Sequence, residues 1–210
     1  MTDDTANGVE NEDSLRALYP PVSELARMKQ IDRLDRHARA YIKLSPFLLI
    51  GSMRPGCGMD VSPRGDPPGF VAVVDDRTLV IPDRPGNNRL DTLSNLVEAA
   101  EVGLLFMIPG IEMTLRVNGK ASLTQDPVLL RQAEINGKRP RLAIKVVVSE
   151  VFFHCAKALR RAKLWEEDHR QKPGALPSIA RIICEQTGAT HVDVDAVERT
   201  SEERLKTHLY

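Results

Sequence analysis

Residues 78–93 read TLVIPDRPGNNRLDTL, and how this stretch divides decides the fold. Leu79, Val80 and Ile81 are β-formers that Pro82 and Asp83 bring to a halt, so the stretch opens as a strand. A tight cationic loop follows, Arg84-Pro85-Gly86-Asn87-Asn88-Arg89, and then a helix opening on Leu90. Asn88 suits the N-cap, and Asp91 stands three positions on, where a capping acid would reach back. The first turn of a helix leaves backbone N–H groups unpaired at the positive end of its dipole, and here two arginines flank it. That combination suits a phosphate. The same residues would also make a surface turn with two solvated arginines.

Working outward, strand signals surround this loop. Phe47–Met53 (FLLIGSM) is a near-continuous apolar run, as expected of a strand buried on both faces. Glycine and proline turns at 56–58 and 64–69 bound a fragment at 59–63, suggesting antiparallel hairpins. Phe70–Val74 and Thr78–Ile81 form the next pair across Asp75-Asp76. A helix from Arg89 to about Ala100 should bury Leu93, Leu96 and Val97. Strands are expected at Val102–Ile108, Met113–Thr124 and Arg141–Phe153, with Gly119 marking a bulge or a close backbone approach. Asp126-Pro127 starts a short helix between the last two.

Helices lie at both ends. From Val22 to Leu44, apolar residues recur three or four apart at Leu25, Met28, Ile31, Leu34, Ala38, Tyr41 and Ile42, predicting one amphipathic helix. His154–Trp165 reads as a basic helix, and two helical pieces follow Pro173-Gly174, at 177–186 and about 195–209. Residues 1–21 are acidic, have little to bury and are expected to be disordered. The reading is therefore a barrel domain over 22–168 with its N-terminal helix, then a helical extension over 169–210. The fold class is mainly β or α+β: an antiparallel barrel with peripheral helices.

Composition narrows the function. Of 210 residues, 29 are basic and 29 acidic, so the formal net charge is zero and counterion-driven nucleic-acid binding is not favoured. Cys57, Cys155 and Cys184 are far apart and odd in number, which suits a reducing compartment. No apolar run reaches the length of a membrane span, and the acidic N-terminus is unlike a leader. A cytoplasmic protein is expected. The histidines lack zinc spacing and Asp193-x-Asp195 lacks the rest of a calcium loop, so no metal is expected.

The order of motifs carries a resemblance. Met59 through Arg64-Gly65-Asp66-Pro67, then IPDRPGNNRLDTL, then Val102-Gly103-Leu104-Leu105-Phe106, then LRVNGKA at 115–121 resembles the pyridoxamine 5′-phosphate oxidase-like flavoproteins. The segment FFHCAKALRRAKLW at 152–165, Leu176-Pro177-Ser178 and Leu209-Tyr210 are similar to a bacterial subgroup of that family. The resemblance spans about 25–210. It implies a split β-barrel binding FMN at a homodimer interface. Where the oxidase has Ser-Arg-Lys at the phosphate, this chain has Asn88-Arg89-Leu90, and Arg84 is the candidate for the second cation. Thr114 stands where the oxidase has a flavin-contacting glutamine, five residues before the shared glycine. The oxidase's C-terminal substrate-binding arginine motif has no match, so the resemblance supports flavin binding without pyridoxamine phosphate oxidation.

FMN presents a phosphate dianion, a polar ribityl chain and a flat apolar ring. Arg64, Arg84 and Arg89 can meet the phosphate, and Ser62, Asn87 and Asn88 can reach phosphate or ribityl oxygens. Arg64 would otherwise be a turn residue paired with Asp66. The flavin performs the hydride chemistry while protein groups orient it, so no general acid or base is needed. Glu112 and Thr114 could meet the ring, although Glu112 equally suits an edge-strand salt bridge. The resemblance makes Lys157 and Trp165 possible contacts from the other subunit; otherwise the basic run is a solvated face and Trp165 an anchor. His154 and Cys155 are strand neighbours that should point to opposite faces, which disfavours a dyad. Three functions compete. One is an FMN-dependent oxidoreductase acting on a small molecule, with a reduced nicotinamide or another donor. The second is a non-catalytic flavin carrier or redox sensor, and the third a barrel binding another phosphorylated or tetrapyrrole ligand.

Overall fold

The computed structural model describes residues 8–207, 209 and 210. Within the N-terminal segment expected to be disordered, residues 1–7 lie outside the described residues. Helix α1 (Glu12–Ala17) follows, closed by a capping box between Asn11 and Ser14, and none of its residues is buried. The single amphipathic helix expected over 22–44 is two helices, α2 (Glu24–Met28) and α3 (Arg36–Leu44). Ile31 causes the break: it exchanges backbone hydrogen bonds with Val151, at 3.0 and 2.8 Å, and so runs as a bridge partner of a strand. Asp35 then restarts the helix, its carboxylate accepting from the N–H groups of His37 and Ala38. On α3, Ala38, Tyr41 and Ile42 are buried, so only the second half of the predicted stripe reaches the core.

Strand β1 (Phe47–Arg54) pairs with β2 (Gly58–Gly65), from Phe47 opposite Gly65 to Arg54 opposite Gly58. Burial alternates along β1, with Leu48, Ile50 and Ser52 buried and their neighbours less so. That corrects the expected two-faced burial: in a curled antiparallel sheet only one face meets the core. Arg64 and Gly65, expected in a turn, are the last residues of β2. A two-residue strand β3 (Ala72–Val73), shorter than the expected 70–74, pairs with β4 (Thr78–Pro82).

Helix α4 (Asp91–Glu98) begins two residues later than expected. Asn88 is not its cap. Leu90 holds that position in a left-handed conformation (φ 61°) and provides no side-chain hydrogen bond. Thr92, Leu93, Asn95 and Leu96 are buried, whereas Val97, expected inside, is 74% exposed. Strands β5 (Glu101–Met107) and β6 (Thr114–Thr124), helix α5 (Pro127–Gln132) and strand β7 (Ala143–His154) follow. The chain ends in α6 (Lys157–Ala162), a 3-10 turn at Glu167–His169, α7 (Ile179–Thr187) and α8 (Val194–Thr207).

All seven strands join one antiparallel sheet in the order β2-β1-β5-β6-β7-β4-β3. The inward row of each strand supplies the core: Leu48 and Ile50, Leu104 and Phe106, Leu115 and Val117, Ile144 and Val146, Leu79 and Ile81. α3 adds Tyr41 and Ile42, and α4 adds Leu93 and Leu96. Gly119 is the hinge of the β6–β7 ladder. Asn118 faces Glu150 but Gly119 faces Val148, so one residue of β7 is bulged out. A Cβ on Gly119 would stand 2.2 Å from the Val147 carbonyl oxygen, which is why the position carries no side chain. The sheet curls without closing, because no ladder joins β2 to β3. The fold is a split β-barrel of α+β class with peripheral helices. Among the described residues no helix is long and apolar enough to cross a membrane.

Candidate functional site

Paired residues of adjacent strands share a face. Arg64 and Ser62 pair with Leu48 and Ile50, both fully buried, so the two polar side chains lie on the core-facing side of β2. There α4 meets them: the Thr92 hydroxyl donates to Ser62 Oγ at 3.1 Å. Deeper along the same helix, Asn95 Nδ2 donates to Ser52 Oγ (2.9 Å) and Asp60 Oδ2 (2.5 Å), while Ser52 donates to Asp60 Oδ1 (3.0 Å). This buried polar network fixes the helix mouth over Ser62 and Arg64.

Arg64 is under-compensated. Its Nη1 donates to the Pro63 carbonyl at 2.9 Å, but its Nε is buried with no hydrogen-bond partner. Burial lowers its pKa from the usual arginine value, against the support of Asp83 and Asp60. Asp83, just beyond β4, is raised by burial in turn, with Arg64 opposing. Neither charge is fully answered by the other. An unpartnered, buried guanidinium N–H beside a helix N-terminus is a ready seat for an anion.

The loop 84–89 divides its arginines. Arg84 is committed elsewhere: its Nε donates to Asp66 Oδ2 at 2.6 Å and its Nη2 to the Ala133 carbonyl at 2.8 Å. Arg89 is exposed and ion-paired with Asp91 at 2.9 Å, which raises its pKa. The Asn87 carboxamide oxygen accepts from the Arg89 N–H at 3.0 Å, and Asn88 turns the chain at φ 59°. With no side-chain cap on α4, its first N–H groups stay open toward this loop. Ser62, Arg64, Asn87, Asn88 and Arg89 are thus gathered around one helix mouth, and Arg84 anchors the loop that carries three of them.

Thr114, Lys157 and Trp165 form a second group. Thr114 is buried at the start of β6, opposite His154. Lys157 opens α6, and the indole N–H of Trp165 donates to the Ile111 carbonyl at 3.1 Å. Glu112 pairs with Arg160 at 2.5 Å. Strands β1 and β5 separate β2 from β6, about 14 Å at ordinary strand spacing. Thr114 also precedes Leu115, which shares the inward face with Arg64's row, so its own side chain lies on the opposite face. One chain therefore does not bring its two groups together. His154 and Cys155 both line a cavity beside the second group.

Sequence reasoning misses five contributors. Asp66, a possible partner of Arg64 on sequence grounds, holds Arg84 instead, and Asp83 shows in the sequence only as a strand stop. Asn95 and Asp60 carry no local signal that marks them as partners in a buried network. Tyr210, whose hydroxyl donates to Asp66 Oδ1 at 2.7 Å, lies 144 residues away in sequence.

This fold and this arrangement define a split-barrel protein whose polar groups gather where a helix mouth faces the strand β2. Residues 34–155 match the family described as pyridoxamine 5′-phosphate oxidase, and the chain belongs to that family. Among solved structures it is similar to HupZ of Group A Streptococcus (11% identity over 57% of this chain and 92% of that one, TM-score 0.47). It is also similar to General Stress Protein 26 of Bacillus anthracis (14%, 56% and 93%, TM-score 0.42). A third is an FMN-binding protein of Syntrophomonas wolfei (13%, 56% and 84%, TM-score 0.44). No curated protein matches the chain.

Proposed function

We propose that this chain is an FMN-binding flavoprotein, working as a homodimer and as an FMN-dependent oxidoreductase on a small molecule, with a reduced nicotinamide or another small reductant as electron donor. The observation that carries the reading is the buried, unpartnered Nε of Arg64 beside Ser62 and the uncapped mouth of α4. A phosphate dianion answers that unmatched charge and the open N–H groups together. FMN, when bound, supplies the hydride chemistry. Arg64, Ser62 and the α4 N–H groups hold the phosphate, Arg89 adds a charge from the rim, and Asn87 and Asn88 offer amides to the ribityl oxygens. The pair Arg89–Asp91 is solvent-exposed and screened, so the carboxylate of Asp91 yields Arg89 to a dianion at small cost.

The homodimer is supported by two observations. The outward face of the β1–β2 hairpin carries Met53, Met59 and Val61, at 38, 79 and 65% exposure, a patch that a partner copy would cover. The second group, Thr114 with Lys157 and Trp165, is out of reach of the first within one chain, and a two-fold axis would set one chain's first group against its partner's second. The test is the absorption spectrum of the purified protein, repeated after adding a nicotinamide donor, with light scattering for mass. A yellow dimer that bleaches is expected. A yellow protein that no donor bleaches would leave a carrier, and a colourless one indifferent to added FMN would overturn the flavin reading.

A further inference from the structure

Tyr210 follows α8, and three separate parts of the barrel hold it. Its hydroxyl donates to Asp66 Oδ1 at 2.7 Å, just past the end of β2. Its ring stands 5.3 Å from the Arg84 guanidinium, on the loop after β4. Its backbone carbonyl accepts from Lys138 Nζ at 2.8 Å, in the connection between α5 and β7. A hydroxyl, a ring and a carbonyl all engaged make a seat for this residue, where a loose segment would leave them to water.

The seat bears directly on Arg84. Asp66 is buried and accepts from Arg84 Nε through its other carboxylate oxygen, at 2.6 Å. With Tyr210 in place, each oxygen of Asp66 has a donor and the guanidinium has a ring beside it, so the pair is held in one geometry and shielded from water. Arg84 in turn roots the loop 84–89. Among the described residues, the hydrogen bonds that tie this loop to the rest of the barrel are those of Arg84, to Asp66 and to the Ala133 carbonyl; Asn87 and Arg89 bond only within 87–91. Asn87, Asn88 and Arg89 therefore keep their places at the mouth of α4 as well as Arg84 keeps its own.

We propose that Tyr210 is a positioning residue for the flavin: seated on Asp66 and Arg84, it locks the loop 84–89 against the mouth of α4, so that the C-terminal extension governs how tightly the cofactor is held. The proposal rests on the flavin reading above and deepens it.

FMN and riboflavin are titrated by flavin fluorescence against wild type, Tyr210→Ala, Arg84→Ala and the double variant, with circular dichroism to show that each is folded. Arg84→Gln stands in should Arg84→Ala unfold. Tyr210→Ala should weaken both ligands roughly fivefold, the scale of one hydrogen bond, with Tyr210→Phe intermediate because its ring stays beside Arg84. The double variant should bind no worse than Arg84→Ala alone, since Tyr210 acts through Arg84, whereas a role in general stability would add to that loss. Additive losses, or affinities unmoved by Tyr210→Ala, would overturn the proposal and leave the flavin reading standing. A wild type that binds neither ligand would overturn both.

Discussion

Arg84 Nε lies 2.6 Å from Asp66 Oδ2, and this contact spans the split of the barrel. Asp66 follows β2 at one edge of the sheet and Arg84 follows β4 near the other, so a side-chain pair joins what no ladder joins. The carboxylate is 1% exposed and the guanidinium 15%. Tyr210 completes the arrangement, donating to the second carboxylate oxygen, with its ring 5.3 Å from the Arg84 guanidinium.

Removing one partner from such a buried pair strands the other charge. Asp66→Ala should therefore lower unfolding stability by about 3 kcal/mol, read from urea titration. Tyr210→Phe keeps the ring and loses one hydrogen bond, which costs roughly 1 kcal/mol. An Asp66→Ala protein as stable as wild type would mean that the split is held by other contacts.

Gly119 gives the sharpest packing prediction. The obstacle to a Cβ there is a backbone carbonyl of a paired strand, which cannot swing aside. Gly119→Ala should cost at least about 2 kcal/mol, because the ladder must shift to admit it. Gly103→Ala is the control. Its Cβ would meet the Asn118 side chain at 3.4 Å, a neighbour able to give way. Thermal unfolding of both variants should rank Gly119→Ala well below Gly103→Ala.

Tyr41 links stability to alkaline pH. Its hydroxyl donates to the Met113 carbonyl at 2.6 Å, and burial raises its pKa to about 12. The folded value lies above the unfolded one near 10, so the folded state keeps a proton that the unfolded state releases. Its contribution is whole below pH 10 and is lost as pH rises toward 12, by up to about 2 kcal/mol. The stability gap between wild type and Tyr41→Phe should narrow across that window. A gap constant from pH 9 to 12 would contradict the assignment.

How much of this was legible in the sequence depends on range. The number and rough placing of the strands are legible from local pattern, since β-branched runs bounded by proline and glycine leave few alternatives, but their ends are not: β2 runs on through Arg64 and Gly65, and β3 keeps only Ala72 and Val73. Gly119 was legible because a glycine inside a strand asks for a reason. The helix over 22–44 was misread because Ile31 fits a helical stripe and a bridge to Val151 equally well, and only the sheet decides. Leu90 in a left-handed conformation could not be foreseen, since leucine rarely adopts it. The loop at 84–89 was recognised as cationic, but the duty of each arginine was not. Asp66 and Tyr210, which engage Arg84, come from distant parts of the chain and meet it only after folding.

That division of duty yields the last prediction. If the phosphate of FMN sits on Arg64, Arg64→Ala should weaken FMN by roughly 2–3 kcal/mol, the scale of a charge-assisted hydrogen bond in a partly dry site. Riboflavin lacks the phosphate, so its affinity should hardly change. Arg89→Ala should show the same contrast more weakly, about threefold, because Arg89 acts from the exposed rim. Arg84→Ala should behave differently. Arg84 is spent on Asp66 and the Ala133 carbonyl, so its loss loosens the loop and should weaken FMN and riboflavin alike, together with a fall in stability. Flavin fluorescence titration of both ligands against the three variants separates these roles. Equal losses of both ligands in Arg64→Ala, or none, would remove Arg64 from phosphate recognition. A phosphate-selective loss in Arg84→Ala would show that FMN draws this arginine away from Asp66.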